Sequence, residues 1–258
     1  MYGIVGLWGK GDIHKMADIL THRGPDGEGF YFGEKVKLGA RCLKIMDRLS
    51  GEQPQFNEDK SICVVLNGEV YNFLELRNQL KRHAFNTNTD TEVIVHAYEE
   101  FGVDCVNKFN GQFAFALWDG KILLLARDRL GQKPLYYYFK NNFFIFASEI
   151  KSILTHVQAY PNITENFEVF ETPVGVETLF KDIFSLPPAS ILIYDGREIN
   201  IRKYWQITSG QPVQLSEEQC IEKLRWLIED SVRLRLRGDV PFGLYLSGGL
   251  DSGLIAYL

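Results

Sequence analysis

Cysteine is scarce and scattered in this chain. Cys42, Cys63, Cys105 and Cys220 form no Cys-x-x-Cys pair, which argues against a zinc ribbon or a disulfide framework and for reduced thiols. The five histidines are equally dispersed, with no helical pair spaced for a metal. No apolar run approaches the roughly 20 residues that a membrane-spanning helix needs. No charged segment followed by an apolar core marks an export signal, so a cytoplasmic location is expected. Basic excess is missing as well: 28 Lys and Arg against 33 Asp and Glu leave a net charge of −5. Nothing in that balance draws the chain to nucleic acid or to a membrane surface. The basic run Arg233, Arg235, Arg237 reads as the polar side of a helix end, where cations suit the dipole.

What is present is ordinary globular material, 45% apolar and 24% charged over 258 residues. That supplies one large domain, or one domain and a piece of another. An apolar segment, residues 2 to 8, predicts a strand that places the amino end inside the fold, where most chains leave it loose. HRGPDGEG (residues 22–29) carries turn signals, and strands are expected near residues 30–32 and 35–41. A strand over residues 62–66 should end at Asn67-Gly68-Glu69. Asn72 then opens a helix with Glu75 as capping-box partner and Leu76 and Leu80 on one face. Asp90 precedes a second helix carrying Val93, Ile94, Ala97, Tyr98 and Phe101, closed by Gly102.

From Gln112 the signal changes to β. Three hairpins are expected, turning at Asp119-Gly120, Asn141-Asn142 and Asp195-Gly196. Residues 203–214, with Gly210 and Pro212, suit a linker, which puts a boundary near residue 210 and divides the chain into 1–210 and 211–258. Ser216 and Gln219 form a capping box for a helix whose stripe is Ile221, Leu224, Ile228 and Val232. The class is therefore α+β, with helices stacked outside antiparallel sheets.

Near the end lies SGGLDS, Ser247 to Ser252. It follows an expected strand, Phe242 to Leu246, and precedes a helix over Ser252 to Leu258. Two adjacent glycines let several N–H groups and a helix N-terminus face one anion. A plain strand-to-helix turn is the alternative. The two hydroxyls and the acid in strand–helix context favour phosphate.

Taken in order, GIVG, HRGPDGEG, NGEVYNFLELR, TDTEVIVHAYEEFG, GQFAFALWD, LARDRLGQKPLYYY, FASEIKSIL, LPPAS, YW and DVPFGLYLSGGLDSGLIA resemble the glutamine-dependent asparagine synthetases. The resemblance runs through the whole chain. It implies a four-layer αββα sandwich of the N-terminal-nucleophile-hydrolase kind. The first helix and strand of an α/β ATP-pyrophosphatase (PP-loop) domain would follow. It also implies a longer reading frame, since one strand and one loop do not make an ATP site.

That family uses a cysteine as its first residue after methionine removal. Here the position is Tyr2, a phenol whose ordinary pKa of about 10 makes it a poor acyl acceptor, and its bulk should retain Met1 and block the amine. The arginine that grips the glutamine carboxylate corresponds to Cys42. Arg41 is adjacent but faces the other way along a strand. Cys42 as a stand-in nucleophile lacks an evident base. Asn67 and Gly68 match the oxyanion donors, and Glu69 and Asp90 match the acids that hold the substrate amine. Ser247, Gly248, Gly249 and Ser252 match the donors to the ATP pyrophosphate, and Asp251 fits a Mg²⁺ or loop-fixing role. The implied activity is an ATP-dependent carbon–nitrogen ligase acting on ATP, an aspartate-like acid and ammonia, with a silent glutaminase half; a homodimer is compatible with it. A β-lactam-synthetase-like intramolecular amide synthetase and a non-catalytic pseudo-glutaminase scaffold are the competing readings.

Overall fold

A computed structural model describes residues 2–47, 51–163, 167, 170–210 and 214–258. The expected retention of Met1, and Pro212 of the linker, lie outside the described residues. By internal contacts the chain divides into two units, Met1–Gln206 and Ile207–Leu258.

Alternation along each strand sorts side chains onto two faces. In β1 (Gly3–Trp8), Ile4 and Trp8 face one way and Val5 and Leu7 the other. β2 (Gly27–Phe32) and β3 (Val36–Cys42) follow, and Val36, Leu38, Ala40 and Cys42 share the face of Ile4. β4 (Gln55–Phe56) and β5 (Cys63–Val70) come next, then β6 (Gly111–Trp118) and β7 (Leu123–Arg127). The last strands are β8 (Tyr136–Lys140), β9 (Phe143–Ala147), β10 (Ile183–Ser185), β11 (Ser190–Tyr194) and β12 (Ile199–Lys203). They pair antiparallel in two six-stranded sheets, ordered β10-β8-β9-β1-β3-β2 and β12-β11-β7-β6-β5-β4.

The two sheets close on each other over Ile4, Leu38, Val65, Ala116, Leu125, Phe144 and Tyr194. The outer face of the first sheet is covered by α1 (Ile13–Asp18) and α4 (Ile150–Ile153), through Val5, Leu7, Met16, Ile145 and Ile153. The outer face of the second is covered by α2 (Phe73–Gln79) and α3 (Asp90–Phe101), through Leu66, Leu76, Val93, Ala97 and Phe115. This is the expected αββα layering. Each such buried aliphatic or aromatic side chain contributes roughly 1.5–3 kcal/mol, which explains why the strands read as near-continuous apolar runs.

Several local expectations are corrected. β5 does not stop at Asn67: it runs on to Val70, pairing Asn67 with Ala114, Gly68 with Phe113 and Glu69 with Gln112. Asn72 forms no capping box with Glu75; its side chain donates to the Lys108 carbonyl and accepts from Asn110 N–H, pinning the loop before β6. Thr89, not Asp90, caps α3, accepting from Glu92 N–H. Asn141-Asn142 forms the expected two-residue turn, both residues at positive φ. The other two hairpins pair at Trp118–Leu123 and Tyr194–Ile199, leaving four-residue loops. The carboxylates of Asp119 and Asp195 close them by accepting backbone N–H groups two and three residues on.

In the second unit, Ser216 and Gln219 make the capping box of α5 (Glu217–Arg235). α6 (Leu250–Tyr257) begins two residues before the expected Ser252. The expected strand Phe242–Leu246 is not formed. A strand exists only by pairing with a neighbour, these residues pair with none among the described residues, and Phe242, Leu244, Tyr245 and Leu246 are exposed.

Candidate functional site

Strand parity builds the site. Cys63, Val65, Asn67 and Glu69 take the same face of β5, the one turned toward the opposing sheet, and Ala40 and Cys42 of β3 face them. Tyr2, one residue ahead of β1, shares the same layer and is 8% exposed. The sequence therefore brings Tyr2, Cys42, Asn67, Glu69 and Asp90 to one place, although they lie on four segments. Gly68 has φ of 136°, and a Cβ there would run into the Gln112 carbonyl; only glycine lets β5 pass so close to β6.

The Tyr2 hydroxyl meets the backbone of Ile45 and lies within electrostatic reach of Glu69, Asp90 and Cys42. Burial first, and those neighbours second, hold the phenol far above its ordinary value, so it stays protonated. Burial also pushes the Cys42 thiol up. Neither residue offers a ready anion.

Glu69 and Asp90 hydrogen-bond to each other. Burial and then the neighbouring Asp90 raise Glu69 well above the carboxylate range, and burial lifts Asp90 to about 6. Asp90 is the better supported anion, because its Oδ2 accepts Val70 N–H at 2.7 Å. Glu69 therefore carries the shared proton. Such a pair suits a cationic amine, which would let both acids ionise.

Asn67 is fully buried, with Nδ2 3.5 Å from Ser148 Oγ and, among the described residues, no hydrogen bond to Oδ1. Arg41 faces away, as expected from parity. It bonds to the Ala17 carbonyl at 3.1 Å, to Glu28 at 2.8 Å, and to Asp18.

Four further residues had no role assigned from sequence, though all but Gln53 sit in a quoted motif. Ser148 accepts Ile4 N–H at 2.9 Å, tying β1 to the end of β9. Gln53 accepts Leu66 N–H at 2.6 Å and presents its backbone to the Cys42 thiol. Lys133 is a half-buried cation beside Glu69, lowered by burial and drawn back up by that acid. Arg23 donates to the Tyr2 carbonyl at 3.0 Å and to Glu149 at 2.9 Å, fixing the residue that enters the site. None could be recognised from spacing alone, since each is defined by partners up to 144 positions away.

In the second unit, Gly248 at φ of 81° turns the chain into α6, with Gly249 at its N-cap and Asp251 in its first turn. Ser247 Oγ and Ser252 Oγ meet at 2.9 Å, and Ser247 Oγ accepts Gly249 N–H at 3.3 Å. The loop is exposed, and its glycines leave room for a ligand to approach the backbone.

The αββα sandwich, with its site at the amino end of β1, has the fold of the N-terminal-nucleophile hydrolases. The chain belongs to the glutamine amidotransferase domain family, which matches residues 1–205, and residues 223–258 match the asparagine synthase family. It is 39% identical over 260 residues to a glutamine-hydrolyzing asparagine synthetase of Bacillus subtilis, covering 94% of this chain and 35% of that protein. An Arabidopsis thaliana asparagine synthetase is 38% identical over 247 residues, covering 95% and 38%. The chain thus spans well under half the length of these two relatives. Among solved structures, the glutamine phosphoribosylpyrophosphate amidotransferase of Bacillus subtilis superposes with a TM-score of 0.58 at 18% identity, covering 80% of this chain and 50% of that one. An allosteric regulatory enzyme of purine biosynthesis gives 0.60 at 18%. These two share the fold. No helix among the described residues is long and apolar enough to cross a membrane.

Proposed function

We propose that this chain is the amidotransferase-like part of an asparagine-synthetase-type ligase whose glutaminase step is lost. Residues 1–210 form the glutaminase-like domain, and residues 211–258 open the synthetase domain. The observation that carries this reading is Tyr2: a buried, protonated phenol stands where the family places its attacking sulfur. Acyl transfer needs a nucleophile that is available near neutral pH, and a phenol against two carboxyl groups is a poor one. Cys42 supplies neither a low-pKa thiolate nor the guanidinium that a carboxylate grip requires.

The oxyanion donors Asn67 and Gly68 and the acids Glu69 and Asp90 remain, and they hold the end of the sandwich together. Ammonia or an amine brought by the substrate is then the nitrogen donor, with aspartate or a similar acid as acceptor. Ser247, Gly248, Gly249 and Ser252 fit a pyrophosphate cradle, and Asp251 is the acid placed to hold Mg²⁺ or to fix the loop. ATP bound there would activate the acceptor carboxylate.

The test is an ammonia assay on pure protein with glutamine, coupled to reductive amination of 2-oxoglutarate. No ammonia above the buffer blank is expected. Ammonia release, or a glutamyl adduct on Tyr2 or Cys42 by mass spectrometry, overturns the reading.

A further inference from the structure

Far along the chain from Tyr2, the fold assembles a cluster that spacing gave no reason to expect. Glu58 comes from the turn between β4 and β5, His83 from the connection between α2 and α3, and His96 and Glu99 from neighbouring turns of α3. One nitrogen or oxygen from each lies within 4.8 Å of the others. His83 Nδ1 is 3.4 Å from Glu58 Oε1 and 3.4 Å from Glu99 Oε2. His96 Nδ1 is 2.9 Å from Glu99 Oε2 and 3.7 Å from Glu58 Oε2. Four ligands around a zinc-sized ion at 2.0–2.1 Å stand about 3.3–3.4 Å apart along the edges of their tetrahedron. His83 to Glu58, His83 to Glu99 and His96 to Glu99, at 3.4, 3.4 and 2.9 Å, lie near that value, while the 3.7 Å approach to His96 is made by the second oxygen of Glu58.

The outer surroundings point the same way. Both imidazoles turn Nδ1 inward; His83 Nε2 meets Glu100 Oε1 at 3.3 Å, whereas the buried His96 Nε2, 3.7 Å from Glu92 Oε1, makes no hydrogen bond among the described residues. Metal-bound histidines are held as His83 is, the outer N–H facing an acid and the inner lone pair facing the ion. The carboxylates are oriented too. Asn57 Nδ2 donates to Glu99 Oε1 at 3.0 Å, and Ala84 N–H donates to Glu58 Oε1 at 2.9 Å.

One divalent ion would compensate the Glu58 and Glu99 carboxylates together, beside imidazole rings stacked with centroids 4.7 Å apart. His96 is fully buried while Glu58 is 38% exposed on its side chain, so the cluster has an inner wall and an open side for entry.

We propose that Glu58, His83, His96 and Glu99 form a four-coordinate site for a divalent transition metal of the zinc class. All four positions are filled by protein, so the ion is structural. It would clamp the β4–β5 turn and the α2–α3 connection onto α3, the helix whose first residue is Asp90.

The test uses tag-free full chain carrying Cys220→Ser, because Cys220 is the exposed thiol among the free cysteines. After chelator treatment it is titrated at pH 7.5 with Zn²⁺ by calorimetry and with Co²⁺ by visible absorption. One equivalent is expected to bind, with the intense d–d bands of tetrahedral cobalt and a rise in Tm. Glu99→Gln and His83→Ala, whose side chains are partly exposed and whose fold is checked by circular dichroism, should weaken binding more than about 100-fold, and Glu100→Gln by about 10-fold. Absence of saturable binding, octahedral cobalt spectra, or equal affinity in wild type and Glu99→Gln overturns the site and leaves a proton-bridged ion-pair cluster only.

Discussion

Replacing Glu69 by glutamine should stabilise this protein, and the gain should grow with pH. Both carboxyls of the Glu69–Asp90 pair titrate above their ordinary range, Asp90 at about 6 against 3.8. The folded state therefore holds protons that the unfolded chain releases earlier, and stability falls as pH rises from about 4 toward 7. Burial, not Glu69, lifts Asp90, so the cost of ionising it, on the order of 3 kcal/mol at about 1.4 kcal/mol per tenfold change, stays in the variant. What glutamine removes is the separate cost of keeping a second acid, Glu69, protonated beside it. A glutamine amide keeps a donor for Asp90 while removing the competing acid. Lys133, the cation beside Glu69, already offsets part of the repulsion, so the net gain is expected to be about 1–2 kcal/mol at pH 7.5 and near zero at pH 4. Urea unfolding of both proteins from pH 4 to 8 gives the difference directly, and by melting it corresponds to roughly 2–8 °C. Glu149 is held down to about 2, so its contribution begins to fall only near pH 4.5, and being common to both proteins it cancels in their difference. A Glu69→Gln protein less stable than wild type at pH 7.5, or a difference that does not change with pH, refutes the shared proton.

Gly68→Ala should unfold the site end of β5, because a Cβ would meet the Gln112 carbonyl at a positive φ; a loss of more than about 2 kcal/mol in urea is expected. Asn142→Gly should add about 0.5 kcal/mol, since φ of 59° at the second turn position favours glycine, and a melting curve checks it. Tyr2→Cys alone should release no ammonia from glutamine, because nothing at Cys42 binds the carboxylate. Tyr2→Cys combined with Cys42→Arg should release it measurably in the same coupled assay.

The layers were legible in the sequence because their cause is local: period-two apolar strands and capped amphipathic helices leave a direct mark. Tyr2, Asn67, Glu69 and Asp90 could be paired with one another only through a family pattern, since no spacing rule joins residues 2 and 90. The errors share one origin. Asn72, Thr89, Asp119 and Asp195 are all polar residues at element ends, and each chose between several backbone partners that only the folded chain presents. Asn67-Gly68 read as the end of β5 because glycine commonly breaks a strand, whereas here it makes room between two strands. The metal-binding geometry was invisible for the opposite reason. Its histidines stand 13 positions apart, and only the 81–89 connection folding back over α3 stacks their rings.

The position of β1 also sets an order of events during synthesis. β1 sits between β3 and β9, so its second neighbour, Phe144 to Ala147, leaves the ribosome some 140 residues after it. The ladder β5-β6-β7, by contrast, closes within about 65 residues of chain. Contacts of high sequence separation form late because their loops are entropically expensive to close. The β4–β7 part of the second sheet and its covering helices should therefore condense first as a template. The segment that carries Tyr2 should wait, unpaired on one edge, until the β8–β9 hairpin arrives to enclose it.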